Sequence, residues 1–125
     1  MLVDDNKFDN YFHERIIKKS KFINTVVSKR SAQEALDFII KEERENTRYP
    51  DLIFLDINMP GMNGWEFAEE YYKIHKKADN KTVIVMLSTS SNPDDLAKAE
   101  KCKVLADFKT KPLTKEMLTE IAEKY

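Results

Sequence analysis

Two kinds of apolar pattern alternate along this chain, and their alternation constrains its fold more than any other feature. Short apolar runs that end in turn residues indicate strands, whereas apolar residues three and four positions apart indicate helices. Five runs of the first kind occur, at residues 1–3, 22–27, 52–55, 82–87 and 104–108. A helical segment follows each of them. This order predicts an α/β fold, a doubly wound five-stranded parallel sheet with five helices covering both faces.

The helical segments begin at capping residues and carry apolar faces of unequal width. Ser31 and Glu34 form a capping-box pattern, and Asn63, Asn92 and Thr114 are candidate caps of later helices. The residues expected to face the core are Phe8, Tyr11, Phe12 and Ile16 in the first helix, Ala32, Ala35, Leu36, Ile39 and Ile40 in the second, Trp65, Phe67, Ala68, Tyr71 and Tyr72 in the third, Leu96 and Ala99 in the fourth, and Met117, Leu118, Ile121 and Ala122 in the fifth. The fourth of these faces is thin.

Length and composition fit one small domain that spans residues 1–125. The 21 basic and 22 acidic residues leave a net charge of −1, so the chain lacks the strongly basic surface of a nucleic-acid-binding protein. No apolar run approaches the roughly 20 residues that span a bilayer, and no signal-peptide pattern opens the chain. The single cysteine, Cys102, allows no intramolecular disulfide. We therefore expect a cytoplasmic protein without a membrane or nucleic-acid partner.

Polar side chains follow four of the five predicted strands. They are Asp4, Asp5, Asp56, Ser88, Thr89, Lys109 and Lys111. Parallel strands end at the same edge of a sheet, so these side chains should meet in the crevice where ligands bind in open α/β folds. Crowded carboxylates attract a cation, and an oxygen-only set without His or Cys suits Mg²⁺. Because a lysine and a hydroxyl can bind phosphoryl oxygens, the combination indicates phosphoryl transfer.

Four motifs at this edge occur in the order and at the spacing of a known family. They are Val3-Asp-Asp5, Leu55-Asp-Ile-Asn-Met-Pro-Gly-Met-Asn-Gly64, Val85-Met-Leu-Ser88 and Ala106-Asp-Phe-Lys-Thr-Lys-Pro112. In these motifs, and over nearly its whole length, the chain resembles the receiver domain of two-component response regulators. The resemblance implies a flavodoxin-like sheet with strand order 2-1-3-4-5. It also implies a signalling switch that catalyses only its own phosphorylation and dephosphorylation and is not otherwise an enzyme.

The resemblance implies a magnesium site at four positions of this sequence. Asp56 would be the phosphoacceptor, whose carboxylate attacks phosphorus and also binds Mg²⁺. Asp5 would bind the metal directly and Asp4 through water. Asn58 would add its backbone carbonyl.

The resemblance implies roles in switching for four further positions. Lys111, joined to Pro112 by a cis peptide bond, would pair with the acceptor or its phosphoryl group. Ser88 would be the hydroxyl that moves toward the phosphoryl group, with Thr89 as the alternative. Phe108 would be the aromatic residue that turns inward with it. The output surface would comprise the fourth helix, the fifth strand and the fifth helix.

The resemblance implies that a histidine kinase or a histidine phosphotransfer protein is the phosphodonor. It implies an output protein as the second partner, and a monomer or weak dimer as the assembly. The alternative is a Mg²⁺-dependent aspartyl-phosphate phosphatase of the haloacid-dehalogenase type. That class needs an acid two residues after its nucleophile, where this chain has Asn58. A non-phosphorylated docking module is a third hypothesis. Only three residues precede Asp4, fewer than the family's first strand usually has, so we expect a longer native amino terminus.

Overall fold

The computed structural model describes residues 1–23, 25–45, 50–75, 82–89 and 92–125. Its strands and helices, in chain order, are β1 (Leu2–Val3), α1 (Lys7–Ser20), β2 (Ser28–Lys29), α2 (Ala32–Arg44), β3 (Leu52–Asp56), α3 (Gly64–His75), β4 (Val83–Ser88), α4 (Pro93–Lys101), β5 (Leu105–Thr110) and α5 (Lys115–Lys124). The predicted alternation of strands and helices is confirmed. Within the described ranges, every helix is too short or too polar to traverse a lipid bilayer.

The five strands form one parallel sheet in the order β2-β1-β3-β4-β5, which confirms the predicted flavodoxin-like fold. Val3 lies beside both Lys29 of β2 and Leu55 of β3, so the residues that follow β1 and β3 emerge together. Asp56 at the end of β3 is aligned with Leu87 of β4. The strand order therefore places the carboxyl ends of β1, β3 and β4 side by side.

Side chains of the central strands alternate between two apolar layers, as expected for strands that are buried on both faces. On one face, Ile53 and Leu55 pack with α2 and α3. On the other face, Phe54 packs with α1 and α5. Further buried members of the first layer are Val3, Ala32, Ala35, Leu36, Ile39, Phe67, Tyr71, Ile84 and Met86. Those of the second are Leu2, Ile17, Val85, Leu87, Leu113, Leu118 and Ile121.

The second strand does not lie where the sequence predicts it. The prediction covers residues 22–27, of which residue 24 lies outside the described residues, but β2 begins after this run. Helix α1 ends at Ser20, and Lys21 caps it with a φ of 64°, which turns the chain. The chain then reaches the sheet near Val27, whose carbonyl accepts a hydrogen bond from the Leu2 N–H at 2.8 Å. The apolar run therefore serves as a connection, and the prediction of a strand there is wrong.

Helix α1 buries a different face from the one predicted. Phe8, Tyr11 and Phe12 are 72%, 63% and 47% exposed, respectively. The buried residues of the helix are Asn10, His13, Ile17 and Ser20. Of the predicted core face, only Ile16 packs against the apolar layer.

Polar contacts explain the rotation of α1. The Asn10 side-chain amide donates to the Asp4 carbonyl at 2.8 Å. The His13 imidazole accepts a hydrogen bond from the Leu113 N–H at 3.3 Å. Buried polar groups without partners would be costly, so these hydrogen bonds make a polar inner face acceptable and leave the aromatic rings outside.

The predicted core faces of the other helices are confirmed in part. Helix α5 buries Leu118 and Ile121 but exposes Ala122. In α2 and α3 the predicted faces are buried or half-buried, except for Tyr72. No residue of α4 is buried, and Leu96 is exposed. Helix α4 lies against β5, an edge strand of the sheet, and an edge offers less apolar surface than the centre.

Candidate functional site

Two neighbouring strands bring three carboxylates together at one edge of the sheet. Asp56 is the last residue of β3, and Asp4 and Asp5 directly follow β1. One carboxylate oxygen of each residue lies within 4.8 Å of the other two. Asp4 and Asp56 are buried, and Asp5 is half-buried. We refer to these three residues as the acidic cluster.

Lys111 brings a positive charge to this edge. Its backbone N–H donates to the Ser88 carbonyl at 2.8 Å, which fixes the residue beside the end of β4. Its ammonium group lies 2.6 Å from a carboxylate oxygen of Asp4 and 3.0 Å from one of Asp9. An oxygen of Asp56 is farther away, at 3.4 Å. Three carboxylates therefore share one ammonium group.

Burial and crowding change the ionisation of two groups at this edge. Burial raises the pKa of Asp56 from 3.8 to about 6, and the Asp4 carboxylate adds to this rise, while the Lys111 ammonium opposes it. Burial lowers the pKa of Lys111, but hydrogen bonds to Asp4 and Asp9 outweigh that effect and hold the pKa above its ordinary range. Lys111 is therefore charged, and its charge compensates the acidic cluster only in part.

The start of α3 packs against the backbone of Asp56. The Gly64 N–H donates to the Ile57 carbonyl at 2.8 Å. A Cβ atom at Gly64 would lie 2.5 Å from the Asp56 carbonyl oxygen and 2.9 Å from the Ile57 Cα, so a larger residue does not fit without movement. Asn63 caps the helix by accepting from the Glu66 N–H at 2.9 Å, and the Glu66 carboxylate accepts from the Asn63 N–H at 3.0 Å. This reciprocal capping fixes the end of the loop that follows Asp56.

The comparison with known families agrees with this geometry. The sequence model described as the response regulator receiver domain matches residues 1–123. The chain belongs to this family. Among its relatives, the receiver domain is 34% identical to the response regulator Rcp1 of Synechocystis sp. over 98 residues, which cover 77% of this chain and 65% of Rcp1. It is 26% identical to the sensor histidine kinase CheAY of Helicobacter pylori over 124 residues, which cover 99% of this chain and 14% of CheAY. The chain thus spans less than two thirds of either relative.

Solved structures share the fold of this receiver domain. A two-component response regulator from Cytophaga hutchinsonii has a TM-score of 0.88 and 33% identity, over 98% of this chain and 92% of that one. The Mn²⁺-bound form of the response regulator Rcp1 has a TM-score of 0.73 and 27% identity, over 98% of this chain and 87% of that one.

The donor set of the receiver domain fits a hard divalent cation. All three members of the acidic cluster offer carboxylate oxygens, which suit Mg²⁺ or Mn²⁺ and not a metal that prefers sulfur. A cation would also relieve the repulsion between buried carboxylates that share one ammonium group. Asn58, two residues after Asp56, is exposed in the following loop. Lys109, which the sequence predicts to lie in the same crevice, instead pairs with Glu120 of α5 at 3.0 Å.

The residues implied as switch residues lie in different environments. Ser88 is the last residue of β4 and is fully buried, whereas Thr89 is exposed. Phe108 of β5 is half-buried and packs against the layer that includes α2 and α3. The peptide bond between Lys111 and Pro112 is cis, as the resemblance implies.

Sequence reasoning missed two residues of α1 that contact the site directly. Asp9 binds the Lys111 ammonium, and the Asn10 amide binds the Asp4 carbonyl. The available signal for Asp9 is its position in the first turn of a helix that begins directly after Asp4 and Asp5. No comparable signal exists for Asn10, because a polar residue on a helix is by default assigned to the solvent.

His13 is a third residue of α1 that the sequence did not single out as part of this region. It is buried, and its hydrogen bond to Leu113 connects α1 to the loop after Lys111. Burial lowers the pKa of His13 and the nearby Lys111 charge lowers it further, whereas Asp9 and Asp4 oppose the change. A neutral imidazole is the form that can accept this hydrogen bond.

Proposed function

We propose that this receiver domain is a signalling switch that carries a phosphoryl group on Asp56. The donor would be the phosphohistidine of a histidine kinase or of a histidine phosphotransfer protein, and the family match and the similarity to CheAY support such a partner. One observation carries the proposal: the Asp56 carboxylate belongs to the acidic cluster and lies 3.4 Å from the Lys111 ammonium. Phosphoryl transfer requires a positioned nucleophile, a cation site and a neutralising positive charge.

In the proposed step, a carboxylate oxygen of Asp56 attacks the phosphorus atom of the donor. An oxygen–phosphorus bond forms, the phosphorus–nitrogen bond of the phosphohistidine breaks, and its electron pair remains on the imidazole nitrogen. Asp56 must be ionised to attack, and with a pKa of about 6 it is mostly ionised at neutral pH. The Lys111 ammonium would neutralise part of the negative charge on the phosphoryl oxygens.

We propose Mg²⁺ as the resident cation. Asp5, Asp56 and the backbone carbonyl of Asn58 would bind it directly, and Asp4 through water. When bound, Mg²⁺ neutralises charge on the phosphoryl oxygens. The oxygen-only acidic cluster supports this assignment, as does the existence of a Mn²⁺-bound form of Rcp1, because Mn²⁺ and Mg²⁺ prefer the same ligands.

The signal would be read by an output protein on the surface formed by α4, β5 and α5. The Ser88 hydroxyl, or alternatively that of Thr89, would approach the phosphoryl group, and Phe108 would turn inward with it. Phosphorylation would thereby shift an existing equilibrium between two conformations. The absence of buried residues in α4 supports this choice of surface, because a helix with few buried contacts can move at little cost.

Intact mass after incubation with acetyl phosphate and Mg²⁺ tests the proposed acceptor. We expect one phosphoryl adduct on the wild type and none on Asp56→Asn, because a carboxamide is a poor nucleophile. EDTA should abolish the adduct on the wild type. Asp94→Asn is the matched control, since it removes an exposed carboxylate from the first turn of α4 and should leave the adduct unchanged.

Each other outcome points to a different protein function. An adduct that persists in Asp56→Asn would place the acceptor at another residue. No adduct on the wild type at saturating Mg²⁺ would favour a non-phosphorylated docking module. Multiple turnovers of a phosphate monoester would favour the phosphatase alternative.

A further inference from the structure

Lys111 lies closer to Asp4 and Asp9 than to the proposed acceptor, Asp56. We refer to Asp4 and Asp9 as the α1 side of the site. Its ammonium group donates hydrogen bonds to Asp4 at 2.6 Å and to Asp9 at 3.0 Å. The distance to Asp56 is 3.4 Å, which is ion-pair range. The proposed function requires this ammonium group to neutralise a phosphoryl group on Asp56. One of its three N–H donors remains for the phosphoryl group, and a closer approach of the ammonium group to Asp56 would weaken its contacts with Asp4 and Asp9.

The first turn of α1 places Asp9 for this contact. The Asn6 side chain caps the helix and accepts a hydrogen bond from the Asp9 N–H at 3.2 Å. The Asn10 amide ties the same turn to the Asp4 carbonyl. The helix dipole favours a carboxylate in this first turn. The backbone of Asp9 is thus fixed, and its side chain, 38% exposed, reaches a Lys111 side chain that is only 10% exposed.

Asp9 differs from the other two carboxylates around Lys111. Asp4 and Asp56 belong to the acidic cluster, whose oxygens lie close enough together to share a cation. Asp9 stands outside that cluster and touches the lysine from the solvent side. Its carboxylate therefore acts on the site through Lys111 and not through a metal ion.

We propose that Asp9 is a positioning residue, which holds the Lys111 ammonium on the α1 side and competes for it with the phosphoryl group on Asp56. This inference rests on the proposed function. Two effects act in the same direction: Asp9 occupies a donor of Lys111, and its negative charge repels the phosphoryl oxygens. Asp9 therefore favours the unphosphorylated state.

Beryllofluoride, a noncovalent analogue of the phosphoryl group, measures this competition at equilibrium. Its affinity for the full chain in the presence of Mg²⁺ is obtained by isothermal titration calorimetry. We expect Asp9→Asn to bind beryllofluoride about two- to fivefold more tightly than the wild type, the size expected for loss of a partly exposed ion pair. Asp9→Glu keeps the carboxylate and should restore an affinity close to that of the wild type.

Asp37→Asn is the matched control for charge, because Asp37 is an exposed carboxylate of α2, outside both the acidic cluster and the proposed output surface. It should bind beryllofluoride as the wild type does. Equal tightening by Asp37→Asn would indicate a general charge effect and would overturn the proposal.

A second variant, Asp9→Ala, should tighten binding as Asp9→Asn does, since both remove the carboxylate. Partial unfolding of either variant would weaken binding, which is the opposite change. If the wild type binds and both Asp9 variants match its affinity, the role of Asp9 is overturned while the proposed function stands. A wild type that neither binds beryllofluoride nor forms the phosphoryl adduct would overturn both.

Discussion

Asp56 is the member of the acidic cluster to which the proposed reaction assigns the phosphoryl group. It ends a central strand, and burial together with the neighbouring Asp4 raises its pKa to about 6. The Lys111 ammonium, which also binds Asp4 and Asp9, offsets this rise only in part. Ionisation of this carboxyl group, which the proposed reaction needs, therefore costs more in the folded protein without a cation than it does for an ordinary aspartate, although the ionised form still prevails at neutral pH.

This shift predicts a pH-dependent stability in the absence of divalent cations. The pKa of Asp56 is about 6 in the folded protein, against 3.8 as its ordinary value, so between these values the folded state keeps a proton that the unfolded state has lost. The free energy of unfolding should therefore fall as the pH rises from about 4 to about 7. Asp56→Asn cannot ionise, so it should be more stable than the wild type by about 1–3 kcal/mol near neutral pH.

Urea unfolding in EDTA at several pH values measures this difference. The difference in unfolding free energy between Asp56→Asn and the wild type should become smaller toward about pH 4, where both folded proteins are uncharged at this position. A difference that stays constant with pH would contradict a raised pKa at Asp56.

At the scale of single elements, α1 shows how polar contacts can override a hydrophobic pattern. Its aromatic residues recur at helical spacing, yet the helix turns Asn10 and His13 inward. Both make hydrogen bonds to loops at the functional edge of the sheet. The rotation of α1 is therefore tied to the site as well as to the core.

We predict a strong contrast between substitutions on the two faces of α1. Ile17→Ala removes a side chain that is 2% exposed and should cost about 2–4 kcal/mol of unfolding free energy. Phe12→Ala removes a larger side chain that is 47% exposed, and should cost less than about 1 kcal/mol. Chemical denaturation of the two variants measures the contrast, and equal costs would mean that the aromatic face is buried.

The start of α3 gives a second prediction at this scale. Gly64→Ala would place a methyl group against the backbone of Asp56 and Ile57, so it should shift the acidic cluster and weaken Mg²⁺ binding by about tenfold or more. Gly61→Ala is the matched comparison, because Gly61 has a φ of 76° but no atom within 4 Å of an added Cβ. It should lose stability through backbone strain of about 1–2 kcal/mol and keep its Mg²⁺ affinity.

Calorimetric titration of Mg²⁺ into both glycine variants distinguishes the effect of steric crowding at Asp56 from the effect of backbone strain at Gly61. A similar loss of affinity in the two would show that α3 does not position Asp56.

The sequence was sufficient to predict some elements of the structure and not others, and the reasons are physical. The runs that became β3 and β4 are apolar throughout and bounded by polar residues, so their place in the sheet and the clustering of Asp56 with Asp4 and Asp5 could be predicted. The rotation of α1 and the contact of Asp9 with Lys111 could not. They depend on hydrogen bonds and ion pairs between segments far apart in the chain, which local periodicity does not encode.

At the scale of the whole molecule, the site exists only when the sheet is assembled. Lys111 and Asp4 are 107 positions apart, and the acidic cluster joins residues from β3 and from the end of β1. An unfolded chain does not hold these groups together. Ligand binding at this edge and folding are therefore thermodynamically coupled.

This coupling predicts that Mg²⁺ raises the melting temperature. A ligand that binds only the folded state adds about 2.7 kcal/mol of stability at a concentration of 100 times its Kd. Asp5→Asn removes a proposed ligand and should lose most of the Mg²⁺-dependent increase, whereas Asp94→Asn should retain it. Differential scanning calorimetry with Mg²⁺ and with EDTA measures the shift, and a full increase in Asp5→Asn would place the cation elsewhere.

The tight packing of Gly64 on Asp56 also has an optical consequence. The chain contains one tryptophan, Trp65, and it directly follows this glycine. Its half-buried indole packs against the core layer of α2 and α3, and the ammonium group of Lys98 in α4 lies 6.0 Å from its ring. The indole thus stands between the backbone of the proposed acceptor and the helix of the proposed output surface. Its fluorescence would respond to events at both, so this tryptophan would serve as an intrinsic reporter of the proposed switching.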